Sequence, residues 1–373
     1  MNILPTILKK GRVYGTLVGD FMKSQFRLAF VGVDHPHGWL YRESLKRMPE
    51  VEVVAFYARS EDETKTLQEP YTSRPVYTSI SRLLAEEDFE GVMVMLPNNE
   101  EPQACMELAE AGKHVMAEKP VARNAHEMKP LVDLVNRSGI KFIVGYPWRF
   151  HPICQDIKKL LQEGVVGRVN TLDAKMFASV VGAEDMPHRD PNHYLFKKKT
   201  SGGGFFNWLL VHWIDLLFFF LDDEVTSVTA MVDTDVTLPI DVEVGGVALL
   251  KFSRGTITCL HGGYYLPEGK ESTFNLYGSE GWIRWNPQGE PEIHAFTTSS
   301  RWQIAPERKI RYSVIEEGGY GGRYGIAMLR DWIESIREDR SPVNSLNNAL
   351  RALQVVDAIY NSSQAGRQLT VRI

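Results

Sequence analysis

Ala111-Gly112-Lys113-His114-Val115-Met116-Ala117-Glu118-Lys119-Pro120 is the stretch on which the reading of this chain turns. It reads as a helix end, a glycine turn, a short apolar strand and a charged pair closed by proline. A lysine at the carboxyl end of a buried strand is costly unless it meets a partner or performs chemistry. In a parallel α/β sheet that end of the strand is where ligands collect. The plainer alternative is a capped strand end in which Lys119 pairs with Glu118; the functional reading is the stronger one.

Outward from this point the first half alternates apolar runs with helical stretches. Strands are expected over residues 26–32, 51–57, 91–96, 115–117 and 142–145, with helices over 40–48, 80–87, 101–111 and 125–138. Buried parallel strands read as continuous apolar runs, and these do. The expected fold is α/β, with a Rossmann-like doubly wound parallel sheet over residues 26–146. From 147 to 373 strands follow one another through turns such as Ser253-Arg254-Gly255. That part reads as an α+β domain with an open, largely antiparallel sheet.

The chain has 373 residues, 43% hydrophobic and 24% charged, enough for two cores. A net charge of -5 gives no general pull toward nucleic acid or anionic membrane, so neither is expected as a partner. Cys105, Cys154 and Cys259 are odd in number and far apart, which fits neither a disulfide framework nor a zinc site and suits a cytoplasmic protein. Residues 1–25 form a leader without a readable element. Lys9, Lys10, Arg12, Asp20 and Lys23 interrupt its apolar runs, and translation starting at Met1 or at Met22 fits equally. Residues 205–221 are nearly all apolar, but Asn207, His212 and Asp215 break the run and it is short for a membrane span. A buried core helix is expected there.

Gly32-Val33-Asp34-His35-Pro36-His37-Gly38 is the candidate phosphate loop. A dinucleotide fingerprint wants G-x-G-x-x-G, because its second glycine lets backbone approach the pyrophosphate. Here Asp34 takes the second position and His37 the third, with Gly38 one place late. Pro36 suits a first helical position. Asp34 brings negative charge toward the phosphates, which His35 and His37 offset when protonated. The same three residues invite a metal reading, but no further ligands with their own spacing accompany them, and no metal is expected. After the second strand comes Ala58-Arg59-Ser60, with no acid for the ribose 2′-hydroxyl. Arg59 and Ser60 suit a 2′-phosphate, which favours NADP slightly over NAD; a solvated turn is the alternative.

Several motifs carry a family resemblance. Ala111–Pro120 resembles the A-G-K-H-V-x-x-E-K-P signature of the glucose–fructose oxidoreductase/inositol dehydrogenase (Gfo/Idh/MocA) family. Leu96-Pro97-Asn98 is similar to its T-P-N turn, although Glu101 stands where the family usually has histidine. Arg149-Phe150-His151-Pro152 resembles the R-F-H-P that opens the second domain, and Gly164–Val169 the G-x-I-G-x-I turn. Gly202-Gly203-Gly204 followed by His212 and Asp215 matches the family's catalytic helix, G-G-G-x-x-x-D-x-G-x-H-x-x-D. Trp208 stands in place of its aspartate. The resemblance spans about Phe26 to Ile373.

The resemblance implies hydride transfer between NAD(P) and a hydroxyl or carbonyl of a sugar, cyclitol or related polyhydroxy substrate. It makes Lys119 and His212 the catalytic pair. His212, with an unperturbed pKa near ~6.5, is the base, and Lys119 hydrogen-bonds the reacting oxygen or takes the base position itself. Gly32, Asp34, His35, Pro36, His37, Arg59, Ser60, Leu96, Pro97, Asn98, Glu118 and Lys119 are the cofactor-binding candidates. On a helix, positions 208 and 212 share a face, so Trp208 is expected beside His212 at the substrate, or else as core packing. Asn207, turned about 100° away, is a weaker substrate candidate. Asp215 reads as a structural hydrogen-bond partner, and Lys197-Lys198-Lys199 as a solvated run. The second domain is implied to bind substrate and to form a homodimer or homotetramer. Two alternatives remain open at this point: a redox-assisted glycoside-cleaving or lyase enzyme that retains its cofactor, and a non-catalytic dinucleotide-fold scaffold.

Overall fold

The computed structural model describes residues 25–182, 190–234, 237–313 and 318–371. The leader over 1–25, with both candidate start methionines, lies outside the described residues except for Gln25. Strands β1 (Phe26–Val31), β2 (Val51–Tyr57), β3 (Val76–Tyr77), β4 (Gly91–Val94), β5 (His114–Ala117) and β6 (Phe142–Val144) form a six-stranded sheet in the order β3-β2-β1-β4-β5-β6. All neighbours are parallel. Alternate residues enter different cores: Ala29 and Val31 pack into one, Leu28 and Phe30 into the other. Burial on both faces is why these strands read as unbroken apolar runs. The strand order reverses at β1 and β4, which puts the ligand crevice outside their carboxyl ends.

Register then fixes what meets there. Val31 pairs with Val94, Val94 with Ala117 and Ala117 with Val144. Gly32, Met95, Glu118 and Gly145 therefore emerge in one row, followed at once by Lys119.

The second sheet has nine strands: β7 (Val169–Ser179), β8 (Val225–Asp233), β9 (Gly245–Phe252), β10 (Ile257–Leu266), β11 (Lys270–Gly278), β12 (Gly281–Trp285), β13 (Glu292–Thr297), β14 (Glu307–Arg311) and β15 (Leu369–Thr370). Its order is β14-β13-β12-β11-β7-β10-β9-β8-β15. The sheet is mixed: β7 and β10 are parallel, because the chain leaves β7 through a long helical crossover before β8, β9 and β10 return beside it. That crossover carries helix Val211–Leu221, buried along its whole length. It lies on β7, where Trp213 Nε1 donates to the Lys175 carbonyl at 3.1 Å, and the segment entering it lies on β10, where a Cβ on Gly262 would come within 2.8 Å of Phe205. By length and composition Lys198–Leu221 could cross a membrane, but 89% of its apolar window is buried inside the protein. Each buried Phe or Leu in this helix contributes about 2 kcal/mol to the core.

Elements from the second half of the chain also pack on the first sheet. Helix Gly322–Arg337 packs back on the first sheet, with Trp332 edge-on to Phe26 at 5.5 Å and its Nε1 donating to the Lys141 carbonyl at 3.1 Å. Asn344 donates to the Tyr146 carbonyl at 2.7 Å. Arg149 forms a two-pronged pair with Asp215, at 2.8 and 2.7 Å, tying the inter-sheet connection to the buried helix. Both side chains are buried, so removing one leaves a charge without compensation. Asp215→Asn is therefore expected to lower stability by about 3–5 kcal/mol, read from the urea midpoint. A midpoint within error of the parent would remove this pair from the account of how the helix is held.

Candidate active site

Lys119 leaves β5 with its side chain fully enclosed, 1% exposed. Its Nζ donates to the Trp208 carbonyl at 2.7 Å and lies 3.3 Å from the centre of the Trp208 ring. Burial lowers its pKa to about 7, against the opposing pull of the Glu118 and Glu101 carboxylates. Burial also raises Glu118, opposed by Lys119, and raises Glu101 well above the usual carboxylate range. Protonation near neutrality is what an acid–base group requires.

The loop after β1 is shaped by Gly32, at φ +89°, where a Cβ would stand 2.1 Å from the Met95 carbonyl oxygen. The loop's side chains depart from the expected roles. Asp34 and Arg59 pair with each other at 2.9 Å, and Arg59 also meets Glu63 at 2.8 Å and Glu100 at 3.6 Å. Arg59 is thus surrounded by carboxylates instead of offered to a phosphate, while Ser60 is exposed. His35 is buried and its Nδ1 accepts from the His37 N–H at 3.1 Å. Burial, and then His37, hold His35 well below the ordinary histidine pKa, so it is neutral and does not offset phosphate charge. His37, after Pro36, points into the protein: its Nδ1 lies 3.2 Å from Glu118 Oε1, and its ring packs on Trp208 at 5.1 Å and on Tyr320 at 4.5 Å.

After β4, Leu96 is buried, the Pro97 carbonyl accepts from Glu100 and Glu101, and Asn98 is buried as well. The Asn98 Nδ2 donates to the Ser201 carbonyl at 2.7 Å, and Asn207 Nδ2 donates to the same oxygen at 2.7 Å. The Asn98 amide staples the loop ahead of the buried helix to the first sheet, and the Asn207 amide closes that loop on itself. The Nδ2 groups of both asparagines are thus engaged within the protein, while Asn207 Oδ1 is buried without a partner.

The expected single helix over 205–221 begins instead as a π-helical turn, Phe206–Leu210, which widens the spiral before Val211–Leu221. Its entry is clamped by Glu243, whose buried carboxylate accepts from Gly204 at 2.7 Å, Phe206 at 2.9 Å and the Tyr360 hydroxyl at 2.8 Å. Trp208 consequently sits over Lys119 and against His37 and His35. His212 sits against the Tyr146 ring at 5.6 Å, its Nε2 3.5 Å from the Tyr320 hydroxyl. Burial, then Lys119, His37 and Lys270, holds His212 well below the ordinary histidine pKa, leaving a neutral imidazole. The structure brings Lys119, Glu118, His37, Trp208 and His212 into one chamber. Tyr320 and Tyr146 complete it and were not anticipated. The signal for Tyr320 was its setting, Gly318-Gly319-Tyr320-Gly321-Gly322, a bulky ring presented by glycines at φ +103° and +67° on either side.

Residues 26–146 match the family described as oxidoreductase, NAD-binding Rossmann fold, and residues 154–284 match the GFO/IDH/MocA C-terminal domain. The chain belongs to the Gfo/Idh/MocA oxidoreductase family. Among its relatives is levoglucosan dehydrogenase of Pseudarthrobacter phenanthrenivorans, 23% identical over 323 residues, or 75% of this chain and 80% of the relative. Myo-inositol 2-dehydrogenase of Thermotoga maritima is 22% identical over 250 residues, 66% and 71% of the two chains. The solved structure of a levoglucosan dehydrogenase with NADH and levoglucosan superposes with a TM-score of 0.83 at 20% identity, covering 94% of this chain and 100% of the other.

Membership makes this chain an NAD-binding oxidoreductase, and its own residues fit the cofactor. Gly32 turns the chain sharply at the β1 end, at φ +89°, where a Cβ would collide with the Met95 carbonyl oxygen. Around the chamber, the Tyr146 and Tyr194 hydroxyls, His212 Nδ1, Glu101 Oε1 and Asn207 Oδ1 are buried without a hydrogen-bond partner. Buried polar atoms in folded proteins are nearly always satisfied, and orphans gathered at one place mark where polar ligands bind. Among the described residues no group of three potential ligands could hold a metal ion.

Proposed function

We propose that this family member transfers hydride between NAD(H) and a secondary hydroxyl or carbonyl of a sugar, cyclitol or related polyhydroxy compound, with Lys119 and His212 as its acid–base pair. The observation that carries this reading is a buried amine and a buried neutral imidazole meeting at the carboxyl end of β5, beside the loop that follows β1. When bound, the nicotinamide supplies the acceptor for the hydride that leaves the carbinol carbon. His212 takes the hydroxyl proton at Nδ1, the ring nitrogen left without a partner, while Nε2 faces Tyr320. Lys119 Nζ donates to the same oxygen as it becomes a carbonyl, and in the reverse direction the ammonium polarises that carbonyl. The Tyr146 and Tyr320 rings beside His212 keep water from the site, which strengthens each interaction.

Of the two cofactors, this reading takes NAD, reversing the preference drawn from Arg59 in the sequence. Asp34, Glu63 and Glu100 already compensate the guanidinium, and a 2′-phosphate would meet their charge. Assembly as a homo-oligomer is supported by Met231, Leu249 and Ile257, which stand 73%, 48% and 51% exposed on one face of β8, β9 and β10. Patches of this kind mark interaction surfaces. The three cysteines are free thiols, in keeping with a cytoplasmic setting.

Lys119→Met and His212→Ala are each expected to lower kcat by about 100-fold or more, measured as nicotinamide absorbance with a panel of sugars and cyclitols. For carbonyl reduction the protonated Lys119 is the productive form, so kcat/KM should fall as pH rises through about 7. A limb at the ordinary lysine position would contradict the role given to this amine. A lyase would cleave glycosides without net absorbance change, and a scaffold would bind no cofactor. In equilibrium titration NADH should bind at least about tenfold tighter than NADPH, a difference of about 1.4 kcal/mol. Tighter NADPH binding would reverse the reading of Arg59.

A further inference from the structure

Lys119 is enclosed by its neighbour on the catalytic helix. The Trp208 carbonyl takes one N–H of the amine, and the indole face covers it at 3.3 Å. The same indole lies nearly parallel to the His37 ring, at 28° and 5.1 Å, and 5.7 Å from His35. It thus fills the space between the loop after β1 and the amine, and is itself only 4% exposed. The indole therefore occupies one whole side of the amine, where a reacting oxygen would otherwise meet Nζ. Polar atoms that a reactant would satisfy, His212 Nδ1 and the Tyr146 and Tyr194 hydroxyls, are buried close by without partners. An apolar ring beside orphaned polar atoms is a poor final arrangement and a good provisional one.

The backbone offers a way out. Trp208 lies within the π-helical turn Phe206–Leu210, whose ends are fixed: Glu243 holds Gly204 and Phe206, and helix Val211–Leu221 is fully buried. Short π turns hold one residue more than α pairing requires and are frequent at functional sites. A change of pairing inside the turn swings the indole relative to His212 without unfolding the helix.

We propose that Trp208 is an internal occupant of the reaction site, which the planar nicotinamide ring and the reacting carbinol displace through the π turn. The proposal rests on Lys119 and His212 being the reaction centre. It makes Trp208 the residue that sets cofactor admission: the apparent affinity is the intrinsic affinity reduced by the fraction of molecules with the indole out.

Stopped-flow association of NADH with the unmodified protein, followed by the nicotinamide's own fluorescence, tests it. The observed rate is expected to level off as NADH rises, because opening limits it. Trp208→Ala is expected to abolish the plateau and tighten NADH binding at least about fivefold. Trp208→Leu, which retains apolar volume, serves the same comparison if the alanine variant does not fold. A rate that climbs linearly, or weaker binding by the variants, overturns the proposal and makes Trp208 a fixed wall of the site. A plateau that persists in the variants overturns it as well, since another element then gates. Absence of saturable NADH binding in every form overturns this proposal and the oxidoreductase reading together, whereas binding with linear kinetics overturns the gate alone.

Discussion

A primary amine without water around it needs compensation from several sides, and the architecture of this protein is organised around supplying it to Lys119. Its own sheet provides the Glu118 and Glu101 carboxylates, whose fields oppose the loss of its proton. The second sheet provides, through the long crossover, the Trp208 carbonyl and ring. Neither sheet could bury the amine alone. The packing of one on the other is therefore also what buries this amine and lowers its pKa to about 7.

That dependence explains why so many long-range contacts converge on the entry to the catalytic helix. Glu243 and Tyr360 hold its first turn, and Asn98 and Asn207 share the Ser201 carbonyl. Asp215, seven positions beyond Trp208, is held by Arg149 in the connection from β6. Glu243, Arg149 and Asp215 are buried and paired, in contrast to the orphaned atoms His212 Nδ1 and the Tyr146 and Tyr194 hydroxyls. The frame is complete where it positions the site and incomplete where reactants would bind. That division separates residues that hold geometry from residues that do chemistry.

Much of this was legible from the residues. Continuous apolar runs marked the parallel strands, and helix Ala125–Ser138 lies where its capping asparagine and closing glycine put it. Strands β12, β13 and β14 were not read. They are short, and β14, at the sheet edge, is Glu307-Arg308-Lys309-Ile310-Arg311, whose charges guard an edge but look like a loop in sequence. At the site, Lys119 stands out locally as a charge at the end of an apolar strand, whereas His212 is marked by the family resemblance of the helix that carries it. The partners of Arg59 could not: Asp34 and Glu100 reach it only through the fold, and they turn a plausible phosphate ligand into a compensated ion pair. The acceptor of the Asn98 amide, the Ser201 carbonyl, likewise lies too far along the chain to be visible from the sequence around Asn98. The π turn had no sequence signature that periodicity could detect, and the face that Trp208 lays on Lys119 could not be read from the chain.

The most direct measurement of the central claim is the titration of the Lys119 amine itself. Nitrogen-15 NMR of lysine-labelled protein, with Lys119→Arg to assign the resonance, reports it without a substrate. The account expects one lysine to titrate at about 7, well below the ordinary 10.5 of this side chain. A Lys119 resonance that titrates with the surface lysines would show an amine in contact with water, and would contradict the buried acid–base centre on which the rest is built.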